Sequence, residues 1–200
     1  QYSGDTRAIE TIYPAAKRYL EYLQTREEAN GTINHGLGDW LFYKAQTPVD
    51  FMATCFYYWD NVLMAQMARL TGREPEAAPY EAKAEKLKVL INELFFDPEK
   101  VCYSNGTQLS YALPLYVGIV PEQYEKRLAE NLNCCIADND YSLDFGFIGS
   151  LVVPAVLSDY GYADAVYRMV TKTTLPSWGY WIEQCGATSL FETWDVLRNI

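Results

Sequence analysis

Hydrophobic positions recur every three or four residues along most of the chain, a spacing typical of helices packed on one side. The first such segment starts near Asp5 or Thr6, either of which can cap a helix. Its apolar positions are Ile9, Ile12, Tyr13, Ala16, Tyr19, Leu20 and Leu23. Strand-type alternation of apolar and polar residues is nowhere sustained. The pattern therefore predicts an all-α chain.

Seven further helical segments are predicted after the first. Their approximate limits are 48–70, 79–96, 107–117, 121–137, 147–160, 163–173 and from 187 onward. Pro48 and Pro121 stand where a first helical turn accepts proline, and Gly72 stands where a helix commonly ends. Long connectors are predicted at 29–47, 97–106, 138–146 and 174–186.

The eight predicted helices alternate in polarity. Those starting near residues 5, 79, 121 and 163 carry a charged face, whereas those starting near 48, 107, 147 and 187 are apolar almost all round. An apolar circumference is typical of a helix covered on every side. Outer and inner helices are thus predicted to alternate, with short glycine-containing turns from inner to outer. In a closed toroid of such hairpins, all the long connectors lie on one face.

Aromatic and acidic residues concentrate in these connectors. They include Asp39, Trp40, Tyr103, Tyr141, Asp144, Trp178, Tyr180, Trp181 and Glu183. Sugars present apolar C–H faces and a fringe of hydroxyls, so aromatic rings beside carboxylates favour a carbohydrate site. The alternative from periodicity alone is a helical repeat array with solvated loops. The one-sided cluster favours a ligand-binding bowl.

Composition excludes several other classes of function. A formal net charge of -10 argues against nucleic acid as a partner. The single histidine, His35, and five cysteines without a CxxC pair predict neither a metal site nor a disulfide framework, and no cofactor is expected. No run of about 18 apolar residues and no leader pattern occurs, so we expect neither a membrane span nor a signal peptide. The ends of the chain suggest a segment of a longer protein.

Five motifs together resemble the catalytic domain of bacterial α-L-rhamnosidases of glycoside hydrolase family 78. They are GDTRAIETIYPAAKRYLEYL at 4–23, GDW at 38–40, GFIGS at 146–150, PSWGY at 176–180 and GATSLFETW at 186–194. The resemblance covers essentially all 200 residues. It implies an (α/α)6 toroid of twelve helices, of which residues 1–200 would form a partial domain of about eight, truncated at both ends. It also implies removal of terminal α-L-rhamnose with inversion.

The same resemblance implies roles for individual residues. The family's general base is the glutamate of an ATTxWE-like motif, which corresponds to Glu192, with Ser189 and Phe191 in place of the usual Thr and Trp. Asp39 would bind rhamnose hydroxyls and Trp40 would stack on the sugar. The remaining candidates for the wall of the sugar pocket are Asp144, Trp178 and Tyr180.

The family's general acid lies upstream of the segment that corresponds to Gln1. We therefore expect residues 1–200 alone to be inactive, and to self-associate through apolar helix faces that an incomplete toroid exposes. The parent protein is expected in the bacterial cytoplasm or periplasm. Two alternatives remain: a carbohydrate-binding relic of the same fold, and another α/α-toroid enzyme such as a glucuronyl hydrolase, a trehalase-like hydrolase or a polysaccharide lyase. A lyase needs a His or Tyr base, so the lone histidine makes that choice less attractive.

Overall fold

A computed structural model describes residues 4–195 as a mostly helical chain. The helices are α1 Arg7–Gln24, α2 Val49–Leu70, α3 Glu74–Phe95, α4 Gln108–Val117, α5 Glu122–Asp138, α6 Phe147–Asp159, α7 Ala163–Thr171 and α8 Trp178–Cys185. Two short strands, β1 Phe96–Asp97 and β2 Cys102–Tyr103, form an antiparallel hairpin in which Phe96 pairs with Tyr103. The predicted all-α class is confirmed, and this hairpin lies in a predicted connector except for Phe96, which was predicted to end a helix. No helix within 4–195 combines the length and apolarity needed to cross a membrane.

The inner helices α2, α4 and α6 lie side by side, and each packs against the outer helix that follows it. The outer helix α1 packs on α2 through an apolar stripe that includes Tyr13, Leu20 and Leu23. On α4 even Gln108 and Ser110 are buried, because this helix has neighbours on every side. The predicted alternation of inner and outer helices is confirmed from α1 to α7.

The turns from inner to outer helices share one geometry. Each contains a glycine in the left-handed region, with φ of 72°, 78° and 87° at Gly72, Gly118 and Gly161. The amide after each glycine donates to the carbonyl five residues earlier, in the way that closes many helix C-termini. These pairs are Arg73 to Ala68, Ile119 to Pro114 and Tyr162 to Leu157. Repetition of this tight turn leaves the long connectors at the opposite end of the helices.

The first three long connectors contact one another at that opposite end, as predicted, and the segment after α8 joins them. Side chains in one connector, or at the start of a helix, donate hydrogen bonds to backbone carbonyls in another connector. The contacts are Asn105 to Gln46 at 2.9 Å, Gln108 to Ser142 at 3.0 Å and Trp194 to Phe145 at 2.6 Å. The connector end is therefore a continuous surface built from four separate parts of the chain.

The prediction for the last helix is wrong within the described residues. Helix α8 spans Trp178–Cys185, where a connector was expected, and residues 186–195 are not helical. The Ser177 hydroxyl accepts the Tyr180 N–H at 2.9 Å and so caps α8, while Gly186, with φ of 65°, ends it. Ser177 and Gly186 are thus helix caps rather than turn residues. The part of the predicted helix at 196–200 lies outside the described residues.

Helix α3 also begins earlier than predicted. It starts at Glu74, with Pro75 in its first turn, and Pro79 lies inside the helix. Proline is tolerated in the first turn of a helix, because an N–H group there would have no partner within the helix. The sequence prediction placed Pro79 in that first turn, whereas the structure places Pro75 there. The short connector between α2 and α3 is therefore only three residues long.

Candidate functional site

Asp39 links the first long connector to the start of α6. Asp39 is 2% exposed, and its carboxylate accepts three backbone N–H groups, from Gly146 at 2.6 Å, Ile148 at 3.0 Å and Gly149 at 3.1 Å. Gly146 is the N-cap of α6 and has no side chain to satisfy these amides. Asp39 therefore caps α6 from 107 residues away. Burial raises the pKa of Asp39, and the three N–H bonds oppose that effect.

The GDW and GFIGS motifs touch so closely that residue 146 must be glycine. A Cβ at this position would lie 2.2 Å from the Trp40 carbonyl oxygen and 2.6 Å from that of Asp39. The Phe147 N–H also donates to the Trp40 carbonyl at 2.8 Å. The two motifs, distant in sequence, are therefore two halves of one contact.

Trp40 and Glu192 meet at the connector end. The Trp40 indole Nε1–H donates to Glu192 Oε1 across 3.4 Å, a long hydrogen bond between residues 152 apart in sequence. Trp40 is 45% exposed, and Glu192 is exposed as well. An aromatic face and a carboxylate thus stand side by side, open to solvent. That combination can contact the apolar face and a hydroxyl of one sugar.

An aromatic cluster holds the non-helical segment that carries Glu192. Trp194 is 4% exposed and stacks on Trp181 with ring centroids 4.5 Å apart, and Trp178 meets it edge-on at 5.2 Å. The Trp194 indole N–H donates to the Phe145 carbonyl at 2.6 Å. In return, the Trp194 carbonyl accepts the Trp181 indole N–H at 3.2 Å. These contacts order residues next to Glu192 without a helix.

The other predicted sugar ligands have partners within the chain. Asp144 Oδ1 accepts the backbone N–H groups of Lys44 and Ala45 at 2.8 and 2.9 Å, and so joins two connectors. Trp178 belongs to the aromatic cluster, and half-buried Tyr180 follows it on α8. Burial and contact with the Cys185 thiol raise the pKa of Tyr180. Sugar binding by these residues stays a prediction, whereas the contacts of Asp39 and Asp144 favour a role in holding the connectors.

A match to a sequence family covers nearly the whole chain. Residues 1–199 match the model of the bacterial α-L-rhamnosidase six-hairpin glycosidase domain. The chain belongs to this family. It is 32% identical to an α-L-rhamnosidase of Streptomyces avermitilis over 196 residues, which are 98% of this chain and 18% of that protein. An α-L-rhamnosidase of Formosa agariphila is 28% identical over 96% of this chain and 22% of its own length.

Solved structures of rhamnosidases share the fold of this domain. The Streptomyces avermitilis α-L-rhamnosidase, determined in complex with L-rhamnose, superposes with a TM-score of 0.89 at 31% identity over 96% of this chain and 18% of that one. The α-L-rhamnosidase of Aspergillus terreus gives 0.89 at 26% identity, over 98% of this chain and 24% of that one. The chain thus spans about a fifth of the length of these relatives. The six-hairpin fold expected for this rhamnosidase domain is confirmed.

Sequence reasoning missed the residues that support Glu192 in this rhamnosidase domain. Trp194 and Phe145 received no role, although Trp194 lies inside the GATSLFETW motif and Phe145 directly precedes GFIGS. Their proximity to the motifs was the available signal. Among residues 4–195, no group of three or more His, Cys, Asp or Glu side chains is placed to hold a metal ion.

A second concave surface lies between α1 and α2, and sequence reasoning did not identify it. This cleft of about 200 Å³ is lined by Tyr19, His35, Phe56, Asp60 and Ile148 among others. Burial raises the pKa of Asp60 to about 6. A carboxyl group is therefore held against a largely apolar helix pair.

Proposed function

We propose that this chain is part of the catalytic domain of an α-L-rhamnosidase that removes terminal α-L-rhamnose from glycans or glycosides. The observation that carries the proposal is the contact between Trp40 and Glu192, which joins an exposed ring and an exposed carboxylate across 152 residues. Membership of the rhamnosidase domain family and the relatives' names support the same chemistry. The sugar would lie against Trp40, with Trp178 and Tyr180 proposed as further walls of its pocket.

Glu192 is proposed as the general base of an inverting reaction. Its carboxylate would take a proton from a water molecule as the water oxygen attacks the anomeric carbon. The bond from that carbon to the leaving oxygen would break as the leaving oxygen gains a proton from a carboxylic acid. In inverting glycosidases the two carboxyl groups stand roughly 6.5–9.5 Å apart, which leaves room for the water. The exposure of Glu192 is consistent with access for that water.

The acid is proposed to lie outside residues 1–200, which we propose form a partial toroid truncated at both ends. The chain spans only about a fifth of its relatives' length, so most of such an enzyme lies elsewhere. Without an acid the leaving group departs unassisted. Residues 1–200 alone are therefore proposed to be catalytically inactive. The proposed reaction needs no cofactor.

Hydrolysis of an aryl α-L-rhamnoside by the longer protein containing this chain tests the proposal. We expect hydrolysis by that protein, none by residues 1–200 alone, and a kcat lowered roughly 10²- to 10⁴-fold by Glu192→Gln, since the amide cannot accept the proton. Glu122→Gln is the matched control, because Glu122 is exposed in the first turn of the outer helix α5, at the end of the helices opposite the long connectors. Its kcat should equal that of the wild type. A comparable kcat for Glu192→Gln would remove Glu192 as the base.

The anomer released first distinguishes the proposed mechanism from its alternatives. Proton NMR during early turnover should show β-L-rhamnose as the initial product, because inversion changes the configuration at the anomeric carbon. Initial release of the α anomer would contradict the inverting mechanism. Rhamnoside binding without hydrolysis by the longer protein would instead favour a carbohydrate-binding relic.

A further inference from the structure

We infer that a closed circuit of hydrogen bonds positions the Glu192 carboxylate, and that buried Trp194 and Asp39 are positioning residues within it. The inference rests on the proposed role of Glu192 as the base. Trp194 and Asp39 are 4% and 2% exposed, and their polar groups already bond within the chain. Their effect on the reaction would be transmitted through Glu192.

The circuit can be followed bond by bond. From Glu192 the chain runs two residues to Trp194, whose indole N–H donates to the Phe145 carbonyl at 2.6 Å. The next residue, Gly146, donates its N–H to Asp39 Oδ2 at 2.6 Å. Trp40 follows Asp39, and its indole N–H returns to Glu192 Oε1 at 3.4 Å. Three hydrogen bonds and three short backbone segments thus form one closed loop.

Two of the three hydrogen bonds are shielded from water and the third is not. The bonds made by Trp194 and Asp39 are short and buried, so water competes with them weakly. The bond from Trp40 to Glu192 is long and exposed, and alone it would contribute little. The distance between the Trp40 indole nitrogen and the Glu192 carboxylate therefore depends on how firmly the two buried bonds hold the connectors on either side.

Stacking fixes the direction in which the Trp194 indole points. The ring lies against Trp181 at a centroid distance of 4.5 Å and an interplanar angle of 17°, and Phe145 meets it edge-on at 6.1 Å. A phenylalanine at 194 would keep one aromatic ring in the cluster and remove the N–H together with part of the indole volume. Trp194→Phe therefore opens the circuit while the cluster persists.

A double-mutant cycle in the longer protein tests the inference. With an aryl α-L-rhamnoside as substrate, Trp194→Phe should lower kcat about 10- to 100-fold and leave KM nearly unchanged, as expected for a displaced catalytic group. In the Glu192→Gln background the same substitution should cause no further loss of kcat. Trp59→Phe is the matched control. Trp59 lies on α2 and packs on Tyr116 of α4, away from the circuit. It should leave kcat unchanged in both backgrounds.

The outcomes separate this inference from the proposed function. If Glu192→Gln retains the wild-type kcat, the role of Glu192 fails and the inference fails with it. If Glu192→Gln is impaired but Trp194→Phe is not, or if Trp194→Phe lowers kcat equally in both backgrounds, only the circuit is overturned. Should Trp194→Phe fold poorly by circular dichroism, Asp39→Asn opens the same circuit at a buried bond, because an amide group cannot accept N–H groups on both of its sides as the carboxylate does. The same absence of a further loss in the Glu192→Gln background is then expected, and an equal loss there overturns the inference.

Discussion

At the scale of single residues, the carboxylates of buried Asp39 and half-buried Asp60 have very different surroundings. Asp39 accepts three backbone N–H groups at the start of α6, and these bonds oppose the effect of burial on its pKa. Asp60 lies in the cleft between α1 and α2, and burial alone raises its pKa to about 6. Burial raises the pKa of both aspartates, so the charged form of each is disfavoured by folding. Asp39 differs because its carboxylate also satisfies three backbone N–H groups at the start of α6.

The raised pKa of Asp60 makes stability depend on pH. Between the ordinary value of 3.8 and about 6, the folded state holds this proton more tightly than the unfolded state, so stability falls as pH rises through that window. Asp60→Asn should therefore raise the free energy of unfolding by roughly 1–2 kcal/mol at pH 7, after allowance for partial exposure, and by much less at pH 4. Urea unfolding followed by circular dichroism measures both values. Exposed Asp138→Asn serves as the control, and an equal gain at the two pH values would contradict the argument.

At the scale of elements, glycines act in two distinct ways. Gly161 ends α6 with φ of 87° and has open space around it, so its cost of substitution is conformational. Gly146 begins α6 in contact with the Trp40 and Asp39 carbonyls, so its cost of substitution is steric. Only the second glycine lies in the contact that joins α6 to the connector carrying Trp40.

Alanine substitutions at these two glycines separate the two effects. Gly146→Ala is expected to destabilise the protein by about 2–4 kcal/mol, because the new methyl group must displace the backbone around it. Gly161→Ala should cost about 1–2 kcal/mol, the typical penalty for a left-handed residue. The measurement is urea unfolding of both variants, and kcat of the longer protein should fall only for Gly146→Ala. Equal losses of stability and equal kcat values for the two variants would contradict the steric role assigned to the contact at Gly146.

At the scale of the whole molecule, apolar surface remains uncovered on this chain. Phe147 and Leu151 lie one turn apart on α6 and are 70% and 64% exposed. The cleft between α1 and α2 adds Tyr19 and Phe56 to the accessible apolar surface. Contiguous patches of this kind promote association when nothing covers them.

Residues 1–200 produced alone are expected to self-associate in a concentration-dependent way. Leu151→Glu should shift the distribution toward monomer, because it places a charge in the exposed apolar pair on α6. Gln123→Glu, exposed on the outer helix α5, is the control and should leave the distribution unchanged. Sedimentation velocity over a range of concentrations measures the effect. A compact monomer at all concentrations for the unsubstituted chain would contradict this expectation.

The sequence by itself determined the helical framework and the family. Apolar spacing and turn glycines depend on residues a few positions apart, so α1 to α7 and the one-sided connectors could be predicted from them. The same local signals misplaced the last helix, because Ser177 and Gly186 suit either a turn or a cap. Only the tertiary structure decided that Asp39 caps α6 and that Trp40 meets Glu192, since those partners lie 107 and 152 residues away. Long-range packing chooses among many possible partners for a polar group, and no local pattern encodes that choice.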